Sequence, residues 1–300
     1  MKEFLIGVDV GNGNTKGRDV VFPSNVTKLT TKPSIETNTV KYNGNYYAIG
    51  GQKLYISKDI TQDENALVLT LAVIAHRIKQ EGMRKGMISL AVGLPLSQMG
   101  ARKDKLKAYY TSSRDIEFVF EGHVYSIYIK TVDVYPQGYA AVVDQLSNYG
   151  TMKLVIDVGS WTVDILPIVE RIPDVARCKS LPIGTINLYQ EINERLRQAM
   201  GDGLEQSIIT EVLRGGKSSI PEEYSAVIEE CANNYTANIL NNIRALQYNL
   251  DVLDISVIGG GASIFKHFCR ENVRNMVVTE DVCINAKGYE LLLNSKYRGA

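Results

Sequence analysis

Two aspartates stand in nearly the same setting. Leu5-Ile6-Gly7-Val8-Asp9-Val10-Gly11 and Val155-Ile156-Asp157-Val158-Gly159 both end an apolar run in Asp-Val-Gly, 148 positions apart in a chain of 300 residues. Behind each come small polar residues and a threonine: Asn12-Gly13-Asn14-Thr15, and Ser160-Trp161-Thr162. Glycine lets the backbone approach an anion closely, and successive N–H groups in such a turn form a concave anion site. Ser, Thr and Asn add donors. A carboxylate repels phosphate, so Asp9 and Asp157 make sense as partners, through water, of a Mg²⁺ that bridges to the phosphates. Lys16 adds direct positive charge. One such turn would read as ordinary punctuation; two matched copies read as phosphate handling by two similar domains facing one cleft.

The surrounding pattern supplies the elements that hold these turns. Phe4 to Val10 reads as a buried strand and Thr15 to Val21 as its return. The polar, tyrosine-rich stretch from Lys32 to Ser57 contains an Asn43-Gly44 hairpin signal between aromatic flanks and reads as a small inserted sheet. Tyr42, Tyr46 and Tyr47 suit an interaction face of this insert and its strand packing equally well. Asp63 to Gln80 reads as a buried helix, Met87 to Gly93 as a strand, and Arg102 to Tyr110 as a polar helix. Ile116 to Lys130 reads as a hairpin about Glu121-Gly122, and Pro136 as the first turn of a helix running through Gln145 or beyond. The second half repeats the scheme: strands Leu154–Val158 and Val163–Val169, helices near Ile186–Met200, Leu204–Leu213 and Glu222–Asn249, and a strand Ile255–Ile258. The last runs into Gly259-Gly260-Gly261 and a further helix.

Composition narrows the function classes. With 33 basic and 33 acidic residues the chain is formally neutral, which argues against coating DNA or an acidic membrane by bulk charge. At 45% hydrophobic residues it has material for real cores, and global disorder is excluded. No apolar run approaches the roughly 20 residues that span a bilayer, and the N-terminus lacks the pattern of a secretory signal. Cys178, Cys231, Cys269 and Cys283 form no Cys-x-x-Cys pair, and His76, His123 and His267 are scattered, so a structural zinc site is not indicated. Reduced thiols in the cytoplasm fit this usage. Gly-Lys-Ser at 216–218 lacks the upstream glycine of a Walker A loop, because position 211 is Glu211.

Four motifs in order carry a family resemblance. Gly7-Val8-Asp9-Val10-Gly11-Asn12-Gly13-Asn14-Thr15-Lys16 resembles the first phosphate loop of the actin/Hsp70/sugar-kinase superfamily. Residues 154–164, Leu-Val-Ile-Asp-Val-Gly-Ser-Trp-Thr-Val-Asp, resemble its second, with Trp161 where a small residue is common. Val257-Ile258-Gly259-Gly260-Gly261-Ala262-Ser263 resembles its adenosine-side loop, and Tyr135-Pro136-Gln137-Gly138-Tyr139-Ala140 its connecting helix, where actin-like members carry a catalytic Gln or Glu. Asp-Val-Gly-Ser in the second loop, Pro-Gln-Gly in the connecting helix and Asn285-Ala286-Lys287-Gly288-Tyr289 resemble the ParM/StbA-type plasmid-segregating actins and their archaeal relatives.

The resemblance implies an α/β, actin-like fold of two RNase H-like domains flanking a nucleotide cleft. The domains are expected at 1–150 and 151–300, each with a small insertion, at about 31–59 and 187–256. It implies ATP or ADP with Mg²⁺, held by Asp9, Gly11, Asn12, Gly13, Asn14, Thr15, Lys16, Gly159, Ser160, Trp161, Thr162, Gly259, Gly260, Gly261 and Ser263. Asp9 and Asp157 would be on the metal side, and Gln137 and Asp157 would be catalytic. Glu211, Arg214 and Lys217 lie where the superfamily places purine contacts, and Arg214 is carried as a candidate. GTP in place of ATP stays open. The function implied is a filament-forming ATPase in plasmid segregation that self-assembles head to tail, reaches DNA through a centromere-binding adaptor and does not engage membranes. A non-polymerising actin-fold ATPase and a small-molecule kinase are the alternatives. Gln137 suits orienting water better than deprotonating an alcohol.

Overall fold

The computed structural model describes residues 1–50, 63–148, 150–216 and 219–298. The chain divides into two compact units, Met1–Asp144 together with Cys283–Ala300, and Gln145–Val282.

Unit 1 is built on one sheet in the order β3-β2-β1-β7-β9-β8-β5-β6-β4 among the described residues. Its strands are β1 (Glu3–Val10), β2 (Asn14–Lys16), β3 (Val21–Pro23), β4 (Val26–Leu29), β5 (Thr39–Tyr42), β6 (Asn45–Ile49), β7 (Lys85–Leu94), β8 (Asp115–Phe120) and β9 (His123–Pro136). At its centre β1, β7 and β9 run parallel. The apolar run Ala66–Ala75 becomes the buried middle of α1 (Glu64–Gln80), which Asp63 caps by accepting from Asn65 N at 2.9 Å. Helix α2 (Met99–Thr111) buries only Leu106 and Tyr110.

Three expectations change here. The tyrosine-rich stretch is not a separate sheet: β5 pairs with β8, so β5, β6 and β4 prolong the main sheet. Residues 51–59 of that expected insertion lie outside the described residues. The return strand breaks after Lys16, where Gly17 N turns back onto Val20 O at 2.8 Å. Pro136 ends a strand and does not open a helix: Gln137 N still donates to Leu94 O (2.9 Å), Gly138 turns at φ +75°, and a 3₁₀ helix follows at Ala140–Asn148.

The C-terminal helix α7 (Ile284–Arg298) belongs to unit 1, not to the second half of the chain as the 1–150 and 151–300 division supposed. Gly7 explains why. The Ala286 carbonyl crosses β1 so closely there that no side chain would fit, and Gly7 N donates to Glu290 Oε1 at 3.2 Å. Glu290 also pairs with Arg18 at 3.0 Å. Gly288 and Gly93 are equally crowded, by the Ala140 carbonyl and by Tyr289.

Unit 2 holds a six-stranded sheet, β12-β11-β10-β14-β15 with β13 also on β11. The strands are β10 (Met152–Val158), β11 (Val163–Val169), β12 (Ile172–Pro173), β13 (Lys179–Leu181), β14 (Asp254–Ile258) and β15 (Met276–Val278). Its helices are α3 (Thr185–Met200), α4 (Gln206–Leu213), α5 (Glu222–Ala245) and α6 (Ala262–Phe268). The expected insertion at 187–256 is no appendage. Leu188, Ile192, Leu196, Ile228 and Ile239 share one core with Leu154, Ile156 and Val257 of the sheet, each such burial contributing about 1.5–3 kcal/mol. Helix α5 stops a turn earlier than expected, where Gln247 takes φ +65°.

Candidate functional site

The duplicated sequence folds as a duplicated structure. In unit 1, β1 lies between antiparallel β2 and parallel β7; in unit 2, β10 lies between antiparallel β11 and parallel β14. Both glycine turns close with one hydrogen bond of the same kind, Gly11 N to Asn14 O (3.1 Å) and Gly159 N to Thr162 O (2.9 Å). The two threonines are therefore not equivalent. Thr162 corresponds to Asn14, and Thr15 to Val163, because both turns span four residues.

In unit 1 the strand pairing sets Asp9 opposite Lys16. Lys16 Nζ lies 3.3 Å from Asp9 Oδ2, and Gln137 Nε2 donates to Asp9 Oδ1 at 2.8 Å. Asp9 is only 2% exposed, and a buried carboxylate is tolerable only when paired and hydrogen-bonded. A carboxylate only accepts, so the Gln137 amide must turn its nitrogen inward, which leaves Oε1 as the acceptor facing elsewhere. The turn behind Gln137 is fixed from α7: Gly138 N donates to the buried Asn285 Oδ1 at 2.9 Å. Thr15, expected among the ligand contacts, is fully buried. It shares a hydrogen bond with Ser24 Oγ (2.9 Å), which donates to Gly11 O (2.6 Å) and clamps the turn. Asn12 and Asn14 are exposed at its tip, with Gly13 half-buried between them.

In unit 2 the same register sets Asp157 opposite Asp164, an acid where unit 1 has Lys16. Asp164 accepts from Thr162 Oγ1 at 3.0 Å, and burial pushes its carboxyl above the usual carboxylate range against the hydrogen bonds of Ser180 and Thr162. Two cross-strand acids repel, and a cation relieves that repulsion. The carbonyls of the second turn are capped by the start of α3: Thr185 N donates to Gly159 O (3.0 Å), Ile186 N to Ser160 O (3.0 Å) and Gly184 N to Trp161 O (3.1 Å). Trp161 is 36% exposed.

The triple glycine joins β14 to α6. Gly259 takes φ +92° with Asp157 Oδ1 packed against it, Gly261 N returns to Val158 O (2.9 Å), and Gly260 faces open space. Ser263 sits half-buried in the first turn of α6. Arg214 is exposed at the end of α4, and the next residue, Gly215, packs against the His267 ring of α6. Lys217 lies outside the described residues. Unit 1 thus gathers Asp9, Lys16 and Gln137, and unit 2 gathers Asp157, the second turn and the triple glycine. Among the described residues no three His, Cys, Asp or Glu side chains converge as a metal cage, and no helix is long and apolar enough to cross a membrane.

Residues 7–139 match the family model for the N-terminal domain of actin-like proteins, and residues 155–271 match that for the C-terminal domain of the archaeal MreB-like actin homologue. The chain belongs to the actin-like proteins. Solved actin-like structures agree over nearly all of it. A ParM from a 15-stranded filament of Clostridium botulinum superposes with TM-score 0.76 at 21% identity, covering 98% of this chain and 100% of that one. The archaeal actin homologue Ta0583 in complex with ADP gives 0.68 at 22% identity (98% and 99% covered). Bacillus thuringiensis ParM with AMPPNP gives 0.73 at 13% (99% and 100% covered). At these identities the likeness is one of fold, which is actin-like. No curated protein matches in sequence.

Three contributors in this actin-like chain escaped the sequence reading. Asn285 was legible only as part of a motif, because its partner Gly138 is 147 positions away. Gly184, in Pro182-Ile183-Gly184-Thr185 ahead of a helical period, carried a signal: a helix start whose amides need acceptors. Asp164 stood inside the quoted motif, but its place opposite Asp157 depends on register.

Proposed function

We propose that this actin-like protein is a nucleotide-driven, filament-forming ATPase that works in plasmid DNA segregation. The glycine turns of both units hold ATP, with GTP as the alternative nucleotide. The observation that carries the reading is the hydrogen bond from Gln137 to Asp9, which anchors a neutral amide with its oxygen free to orient a water molecule. The paired turns, each with Asp two residues ahead of the closing glycine, support phosphate binding.

The residues fit Mg²⁺ unequally. Asp9 is neutralised by Lys16, whereas Asp157 faces a second acid, so Asp157 is the stronger candidate for the metal side and Asp9 the weaker. The absence of a cage among the described residues fits an ion held chiefly by phosphate oxygens and water. Mg²⁺ would neutralise phosphate charge; the chain's own part is to place water and exclude competing charge. Self-assembly draws on the filaments that name two of the similar structures, and an adaptor to DNA on the chain's neutral balance. The cytoplasm fits its four free cysteines. Sedimentation and phosphate release with ATP and Mg²⁺ test the reading together. Nucleotide-dependent polymers that disassemble as phosphate appears are expected; a protein that stays monomeric and releases no phosphate rejects it.

A further inference from the structure

The neutral chain is neutral only in sum. Unit 1 carries 21 basic and 15 acidic residues, and unit 2 carries 12 basic and 18 acidic, so the first is +6 and the second −6. The excess acid of unit 2 lies in its helical segment: residues 187–256 hold 11 acidic and 5 basic residues. On α5, Glu222, Glu223, Glu229 and Glu230 are seven apart in pairs and share the solvent face, opposite the buried Ile228, Cys231, Ala232 and Tyr235. Arg195 of α3 pairs with this face, at 2.8 Å from Glu230.

Unit 1 offers the counterpart. The 13 residues of α2 include Arg102, Lys103, Lys105 and Lys107 against the single Asp104. Lys103, Lys105 and Lys107 are exposed, and only Leu106 and Tyr110 of this helix are buried. Leu106 and Tyr110 seat the helix on unit 1; of its exposed lysines Lys103 and Lys107 are one turn apart on one side and Lys105 lies round the helix, and the helix as a whole carries a net charge of +3.

We propose that the basic helix α2 of one copy docks on the acidic face of α5 in a second copy. The inference rests on the self-assembly read above and specifies the contact. Each copy carries both charges on different units, so the contact is heterologous, the kind from which an open filament is built when it does not close into a ring. Complementary charge fixes the order of association and speeds encounter, and like-charged juxtaposition disfavours other pairings.

Salt gives the first test. The screening length falls from about 10 Å at 0.1 M to about 3 Å at 1 M, so the protein concentration needed for assembly should rise about fivefold or more over that range. Two variants give the decisive one. Variant one carries Lys103→Glu, Lys105→Glu and Lys107→Glu; variant two carries Glu222→Lys, Glu223→Lys and Glu229→Lys. All six positions are exposed, so the folds should persist, as melting and nucleotide binding will show. Neither variant should sediment alone with ATP and Mg²⁺, because each now presents one sign on both faces. An equimolar mixture should sediment as alternating polymers. Either variant assembling like wild type overturns the inference and leaves the ATPase reading standing. Wild type that never assembles at any salt overturns both. A variant one that assembles normally but loses binding to duplex DNA would give α2 to nucleic acid instead. Should variant two not fold, the salt series and variant one still decide.

Discussion

Gln137 and Asp9, 128 positions apart in sequence, are joined by a 2.8 Å hydrogen bond at the end of two strands of one sheet. The bond fixes which end of the amide faces inward. Gln137→Ala should therefore slow phosphate release about tenfold or more, the scale of a positioning effect, with ATP affinity nearly unchanged and longer-lived filaments. Gln137→Glu should be as slow at neutral pH, since two carboxylates would face each other, and should recover partly as pH falls and one is protonated. Phosphate release measured beside ATP affinity checks both; unchanged release removes Gln137 from the mechanism.

Asp157 and Asp9 should respond differently to Mg²⁺. Asp157→Ala is expected to depress Mg²⁺-dependent hydrolysis strongly and raise the Mg²⁺ concentration for half-maximal rate. Asp9→Asn should shift that concentration less, because Lys16 already answers the Asp9 charge at 3.3 Å. Mg²⁺ titrations of both variants decide it, and equal shifts would make the two acids equivalent.

The triple glycine separates a fold effect from a ligand effect. At Gly259 a methyl would collide with Asp157 Oδ1 and meet Val158 O at 2.8 Å, and φ is +92°. Gly259→Ala should cost about 1–3 kcal/mol of stability through this strained backbone. At Gly260 nothing lies within 4 Å. Gly260→Ala should melt like wild type, so any loss of nucleotide affinity there reports the ligand directly. Thermal melts and ATP titrations of the pair test this; equal melting of both variants would refute the difference.

Much of this was legible in the sequence because it is local. Asp-Val-Gly turns follow from apolar runs and glycine, and α1 from the Asp63 cap and the run behind it. What was not legible depends on contacts between distant segments. The place of α7 against β1 rests on the close approach of Ala286 to Gly7, and the charge difference between Asp9–Lys16 and Asp157–Asp164 rests on register. Pro136 misled because proline suits both a first helical turn and a strand end, and the backbone bond from Gln137 to Leu94 decided between them.

Lys153 predicts a pH dependence. It lies on β10, 2% exposed, beside Asp254 on β14, and burial pushes its ammonium down to about 8 from 10.5 against the pull of Asp254. Between those values the unfolded chain binds the proton that the folded chain has released, so this group makes stability rise with pH from about 8 to 10.5. Below 8 the cost of burying the charge is fully present. Lys153→Met should stabilise unit 2 at pH 7, and its advantage over wild type should shrink as pH rises through that window. Comparing the two proteins cancels Cys178 and Cys231, whose thiols burial raises to about 11 and which act in the opposite sense. A constant difference across the window would remove the buried charge as the cause.

Trp161 reports the second turn. The residue is partly exposed, and its carbonyl accepts from Gly184 N at 3.1 Å, which ties the backbone carrying the indole to the start of α3. Its emission should be quenched by acrylamide in the free protein. ATP with Mg²⁺, below the assembly concentration, should change it saturably. Gly184 supplies the control. A methyl there would collide with backbone atoms of Ser160 and Trp161, which cannot swing aside as a side chain can. Gly184→Ala should therefore shift the Trp161 emission with no nucleotide present, weaken ATP binding, and leave the Gln137 side of unit 1 unaltered. Emission that answers to Gly184→Ala but not to ATP, with binding shown by calorimetry, would place the second turn away from the nucleotide.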